Sequence, residues 1–446
     1  MLDTQTRASS RNSLLTRLAE SRRLTDRLFE VVRPDSFYER PIPERHRIVF
    51  YVGHLEAFDW NLLSAYALDL KSFHPEFDKL LAFGIDPVGG GLPDDEPADW
   101  PALNEIRRYN QEVRERLDTR LEGQTTPVSS AAGVDESTLL HVAIEHRLMH
   151  AETLAYMFHQ LPQDRKMGPR KSAAPDAAPV APRMIEIPAG RVTLGLPRPE
   201  RTEGGAFGWD NEYEEHIENV PAFAIDAHKV SNSEFLEFLR AGGYENRQLW
   251  DGDAWDWITK QGIRHPQFWI ERYGAWFYRT MFDEIPLPAS WPVYVSHAEA
   301  SAYARWKNKS LPTEAQWQRA AFGTAQGTER DYPWGNQPPA ASVGNFDFSH
   351  WDPTPVSAHP AGASAFGVLD LLGNGWEWTA TLFEPFPGFR AFPFYPGYSA
   401  NFFDGKHYVI KGGSSRTAAC MLRRTFRNWF QPHYPYVYAG FRCVSN

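Results

Sequence analysis

His146 and His150 stand four residues apart in Glu145-His146-Arg147-Leu148-Met149-His150-Ala151-Glu152-Thr153. The run around them, from Ser137 to Gln160, contains neither proline nor glycine. Its apolar residues Leu139, Leu140, Val142, Ala143, Leu148, Leu154, Ala155 and Met157 recur at helical spacing. On a helix the two imidazoles then project from one face, one turn apart, and can grip one divalent metal ion. The alternatives for so short a pattern are a surface pair or core histidines bonded to backbone. A zinc-peptidase reading fails, because Arg147 stands where that motif needs its glutamate base. Two imidazoles are an incomplete centre, so a third ligand has to come from another element.

The elements that could supply it lie upstream. Residues 12–32 read as an amphipathic helix, with Leu14, Leu15, Leu18, Leu24, Leu28 and Val31 on one face and Pro34 as its stop. Ile48 opens a second helix through Leu62, Leu63 and Tyr66, and His54 sits in its apolar opening. Alone, such a histidine reads first as a satisfied core residue. A third helix, Ala102 to Leu121, carries Arg107, Arg108, Arg114 and Arg116, read as a solvated face with i,i+4 pairs. Four helices in this length imply an antiparallel bundle, and bundles build metal sites from facing helices. His54 would then meet His146 and His150.

The 446 residues exceed one ordinary core, so two or three domains are expected. A net charge of −10 argues against a nucleic-acid partner. No apolar run reaches membrane-spanning length, and the N-terminus is polar rather than signal-like, so no membrane partner is expected. Only Cys420 and Cys443 are present, which fits a cytoplasmic protein; both read as buried small hydrophobes. Of the 16 tryptophans most fall after residue 200, the mark of a loop-rich domain held by large rings. Pro, Ala and charge without periodicity fill 161–183. The expected organisation is a helical domain over 1–165, a linker over 166–183 and an α+β domain over 184–446.

That last region is marked by Phe207-Gly208-Trp209-Asp210-Asn211-Glu212, Leu311-Pro312-Thr313-Glu314, Tyr332-Pro333-Trp334-Gly335-Asn336, Leu372-Gly373-Asn374-Gly375-Trp376-Glu377-Trp378, Lys411-Gly412-Gly413-Ser414 and Gly440-Phe441-Arg442. Ala298–Lys307 and Thr313–Ala321 read as helices, and the glutamates as partners of buried backbone donors. In this order the motifs resemble the formylglycine-generating-enzyme (sulfatase-modifying-factor) fold, a C-type-lectin-like domain, while the helical part resembles a DinB-like four-helix bundle. Together the two resemble the ergothioneine-type sulfoxide synthases (EgtB) and their selenoneine synthase (SenA) branch. The resemblance implies that His54, His146 and His150 hold Fe(II), and that Asn428 and Trp429 contact the trimethylammonium of hercynine. It implies small-molecule substrates: hercynine, a sulfur or selenium donor, and O2.

The departures bear on the donor. Where the γ-glutamylcysteine-using members carry an Asp and an Arg after the Asn-Trp pair, this chain has Phe430 and Tyr434. A further clamp arginine falls at Leu103, the glutamine before the second histidine is Met149, and the expected tyrosine after Pro387-Gly388-Phe389 is Phe392. The Tyr-Tyr pair of another branch is missing from Gly84–Gly91. Leu and Tyr cannot replace the bidentate grip of Arg on a carboxylate. A selenosugar donor is therefore expected, with cysteine or γ-glutamylcysteine left open through Arg107 or Arg108. Tyr395 and Tyr398 are candidates for a relocated proton donor. Formylglycine generation is excluded because Thr417 and Leu422 stand where that enzyme needs cysteines, with Cys420 out of register. A thiol-dependent DinB-type transferase and a lectin-like binding module are the two other classes.

Overall fold

A computed structural model of the chain describes residues 2–82, 92–123, 134–168, 176–198 and 206–445, with side chains from Ser10 onward. It divides into two compact units, Met1–Gly168 and Pro169–Asn446. The first is helical: α1 (Leu2–Phe29), α2 (Ile48–Leu63), a short α3 (Pro75–Leu80), α4 (Leu103–Gly123) and α5 (Glu136–Gln160). Helix α5 lies against α1 and α2, and α4 against α2. Ile106, Tyr109, Val113, Leu117 and Leu121 give α4 one buried stripe, whereas α2 and α5 are buried on almost every side. A helix buried on almost every side lies inside its unit, and these two carry the histidines.

The expected helices are present, with two changes. Helix α1 begins ten residues earlier than its apolar periodicity and ends at Phe29. Val31 and Val32 close a turn on the carbonyls of Leu28 and Phe29, so the helix stops before Pro34. The face of α4 is also more than solvated. Arg116 pairs with Glu112 as expected, but Arg114 crosses to Asp26 of α1 and Glu56 of α2. No helix among the described residues is long and apolar enough to cross a membrane.

The second unit carries short strands and short helices. In order these are β1 (Met184–Ile187), β2 (Gly190–Leu194), β3 (His216–Val220), β4 (Phe223–Asp226), α6 (Asn232–Arg240), α7 (Gly252–Gln261), β5 (Trp269–Arg272), β6 (Ala275–Arg279) and β7 (Glu284–Pro286). Then come α8 (His297–Trp306), α9 (Glu314–Phe322), β8 (Trp376–Leu382), β9 (Tyr408–Lys411), β10 (Asn428–Phe430), β11 (Ala439–Gly440) and β12 (Val444–Ser445). The central sheet has the order β10-β9-β8-β11, with β11 parallel to β8 and its other pairs antiparallel. The others are β1-β4-β12, β5-β6-β7 and the pair β2-β3. Helices α6, α8 and α9 each start with a capping box, Ser231/Glu234, Ser296/Glu299 and Thr313/Gln316.

Regular structure alone does not hold so irregular a unit. Glu377, expected to satisfy backbone donors, instead faces cations. It takes the Arg442 fork at 2.6 and 2.8 Å, Lys229 at 3.3 Å and the Trp317 indole at 2.9 Å, all buried. Glu212 likewise accepts from Arg423, Thr425 and the backbone of Trp209. Asp176, inside the expected linker, accepts from Ser290 and from the backbone of Ala289, so that end is tied to the second unit. The Gly84–Gly91 stretch lies outside the described residues.

Candidate metal centre

Helices α2 and α5 bring His54, His146 and His150 together, all three buried. The Nε2 of His150 stands 3.2 Å from that of His54 and 3.1 Å from that of His146. One ligand atom from each ring lies within 4.8 Å of the others. Two nitrogens each about 2.1 Å from one ion, at roughly right angles, would stand about 3 Å apart, which is the spacing found. The Nδ1 of His54 is 2.7 Å from the carbonyl oxygen of Leu81. A carbonyl only accepts, so Nδ1 carries the proton and Nε2 keeps its lone pair for a metal. Gly53 permits this contact: a Cβ there would come within 2.5 Å of the Leu81 side chain.

Charge points the same way. Burial lowers the His54 pKa to about 4, only partly offset by the Leu81 bond, with His46 and Arg147 lowering it further. His146 and His150 are pushed well below their ordinary value, first by burial and then by neighbouring imidazoles and arginines. Neutral imidazole is the form that binds metals. Three neutral nitrogen donors converging in a buried site therefore fit a divalent transition metal.

Neighbours that the spacing argument passes over fix the rings. Phe58 stacks on His146 at 3.5 Å and 12°, and Phe50 on His54 at 4.8 Å and 20°. Both lie four residues from His54 on α2, a signal present in the sequence but masked by the apolar run around it. Arg147 is 1% exposed and bonded to Glu56 and Asp59 of α2. Met149, between the two histidines of α5, is half-buried.

The remaining candidates divide between the units. Asn428, Trp429 and Phe430 form β10, half-buried and paired with Ile410, Val409 and Tyr408 of β9. Phe383 stacks on Trp429 at 4.1 Å and 8°, and Tyr398 meets it edge-on at 5.5 Å. Phe430 and Tyr434 stack on each other at 5.4 Å and 8°. Tyr398 also stacks on the buried Trp209 at 4.0 Å, 5.5 Å from Tyr395. Ser399 beside it donates to Asp210 and accepts from Asn211. Burial raises the Asp210 carboxyl to about 6 against these bonds. Phe392 lies 6.4 Å from Trp209.

Leu103 opens α4 with its N–H donated to the Tyr38 hydroxyl. Arg107 is exposed over the Phe37 ring, and Arg108 is 74% exposed beside Glu105, so neither is a buried clamp. The cysteine expectation needs correction: Cys443 is buried, but Cys420 is exposed, on a 3-10 turn at Ala419–Met421.

Residues 170–446 match the family of sulfatase-modifying factor enzyme 1-like domains, and 17–154 match the DinB superfamily. The chain is 36% identical over 310 residues to a hercynine oxygenase of Mycolicibacterium thermoresistibile, covering 68% of each protein. It is 41% identical over 238 residues to a hercynine oxygenase of Mycobacterium tuberculosis, covering 53% of this chain and 55% of that one. Ergothioneine biosynthesis protein 1 of Neurospora crassa is 26% identical over 94% of this chain, which spans 56% of its length.

Proposed function

The chain belongs to the EgtB-like family of sulfoxide synthases that the hercynine oxygenases represent, and we propose that it is an Fe(II)- and O2-dependent enzyme joining the hercynine imidazole to a chalcogen donor. The observation that carries this reading is the convergence of three buried, neutral imidazoles on α2 and α5. Iron(II) bound to them would supply open positions for substrate and O2, and a one-electron source for O2. The protein's own contribution is to position and to exclude water. Phe50 and Phe58 hold two rings in plane and wall the site with apolar surface. Trp429 offers an aromatic face, and Asn428 an amide, to a trimethylammonium cation. Tyr398 or Tyr395 would donate a proton to the reduced oxygen, while substitution at the ring carbon releases one. In this reading 1–165 is the metal-binding domain and 184–446 the substrate-binding one, in a cytoplasmic protein.

For the donor we favour a selenosugar. The stacked pair of Phe430 and Tyr434 suits the apolar face of a sugar ring, and neither side chain can grip an amino-acid carboxylate. The names of the relatives favour the second reading, a sulfur donor such as cysteine or γ-glutamylcysteine. A competition assay decides. Anaerobically iron-loaded protein is given hercynine, O2 and all three donors, and product masses are recorded. A dominant selenium adduct is expected; a dominant sulfoxide from either thiol would overturn the donor assignment and keep the reaction class.

A further inference from the structure

The residue that rules out a zinc peptidase has a different role here. Arg147 follows His146 directly, is 1% exposed, and turns its guanidinium across the bundle to α2. It donates to Asp59 at 2.6 Å, to Glu56 at 3.0 Å and to the Leu55 carbonyl at 2.9 Å, with Thr25 of α1 at 3.4 Å. The three α2 partners are the residues one, two and five positions past His54. Both carboxylates are as buried as the arginine, at 1% and 0% exposure. Arg22 of α1, 3.9 Å from each, and Arg114 of α4, 2.6 Å from Glu56, extend the network to the other long helices.

This network ties the turn of α5 that carries His146 to the turn of α2 that carries His54. A planar fork on two carboxylates and a main-chain oxygen has one geometry, so it resists both rotation of α5 about its axis and sliding along α2. The two flanking histidines differ from Arg147 by fixed helical rotations, and their separation from His54 follows from where the fork is held.

We propose that Arg147 is a positioning residue for the histidine centre: its fork on Glu56, Asp59 and Leu55 sets the separation between His54 and the pair His146/His150. The inference rests on reading the three histidines as a metal centre. A core ion pair with no such role would contribute stability alone, so the test needs a readout other than stability.

Cobalt(II) is that probe, because its visible absorption reports ligand geometry. Wild-type protein, Arg147→Lys, Arg147→Met and, as control, Arg11→Met are titrated well below their melting temperatures. Arg11 pairs with Glu136 at the start of α5, ten residues and about 15 Å along the helix from His146. Arg147→Lys retains the charge but loses the fork, and remains informative if Arg147→Met does not fold. Both Arg147 variants are expected to weaken cobalt binding about tenfold or more and to change its absorption bands. Arg11→Met is expected to melt earlier with wild-type bands and affinity. Wild-type bands and affinity in Arg147→Lys, with only its melting temperature lowered, would overturn the inference and leave the metal centre standing. Failure of the wild-type protein to bind cobalt would overturn the metal reading and this inference with it.

Discussion

The helical unit and the sheet unit each place a buried arginine one residue from the side chains on which the function is proposed to depend. In the first, Arg147 follows His146 and grips Glu56 and Asp59. In the second, Arg427 precedes Asn428, shares its Nε–H between the two carboxylate oxygens of Glu314 at 3.0 and 3.2 Å, and lies 4.0 Å over the Phe386 ring. The difference lies in what each arginine braces. Arg147 joins two long helices that already have a complete ladder of backbone bonds. Arg427 holds a three-residue strand and accepts no help from helical periodicity, bonding also to the carbonyls of Asn211 and Glu384. Arg147 acts between two helices, whereas Arg427 braces a short strand whose ladder runs to β9.

That contrast can be broken experimentally. His146→Ala or His150→Ala should have the largest effect, loss of stoichiometric metal and of all product, read by metal analysis and product mass. Arg427→Met leaves buried Glu314 with Lys411, 3.7 Å away, as its remaining cation. It should cost about 3 kcal/mol of stability, beyond the cost of Arg11→Met, measured by denaturant unfolding. Trp429→Ala should raise the KM for hercynine about tenfold, the loss of ~1–2 kcal/mol of desolvated cation–aromatic contact. Its kcat and metal content should stay close to wild type. The smallest effect concerns Asp210. Its carboxyl is raised by burial to about 6, so its contribution to stability is present below its ordinary value near 4 and lost as pH rises through 6. Asp210→Asn should therefore remove part of the decline in melting temperature between pH 4 and 6; an identical pH profile would show that Asp210 does not titrate there.

The sequence disclosed the helical unit more fully than the sheet unit, for physical reasons. Spacing at 3.6 residues placed α4 and α5 within a residue or two at each end, and the same spacing identified His146 and His150 as neighbours. His54 was less legible, because nothing local distinguishes a ligand from a satisfied core histidine. What distinguishes it is Leu81, whose carbonyl fixes the tautomer from a distant segment. The start of α1 is not legible because residues 2–11 carry charge and hydroxyls rather than an apolar stripe. In the sheet unit, the one sequence signal for the short helix α6 is its Ser231/Glu234 capping box. Helix α7 hides behind Gly252 and two tryptophans at its start. Strands of two to seven residues carry too little alternation to read, so Asn428 and Trp429 came to notice through resemblance alone. Cys420 departs from the expected burial because that expectation is statistical, and its turn faces solvent.

If the three buried histidines serve an O2-dependent coupling, oxygen uptake will follow the reaction. Iron-loaded protein in an oxygen-electrode cell should consume O2 only when hercynine and a chalcogen donor are both present. Adduct should form in step with the oxygen consumed, and His150→Ala should do neither. Adduct formed at the same rate in strictly anaerobic buffer would rule out oxidative coupling and point to a metal-assisted thiol transfer without oxygen.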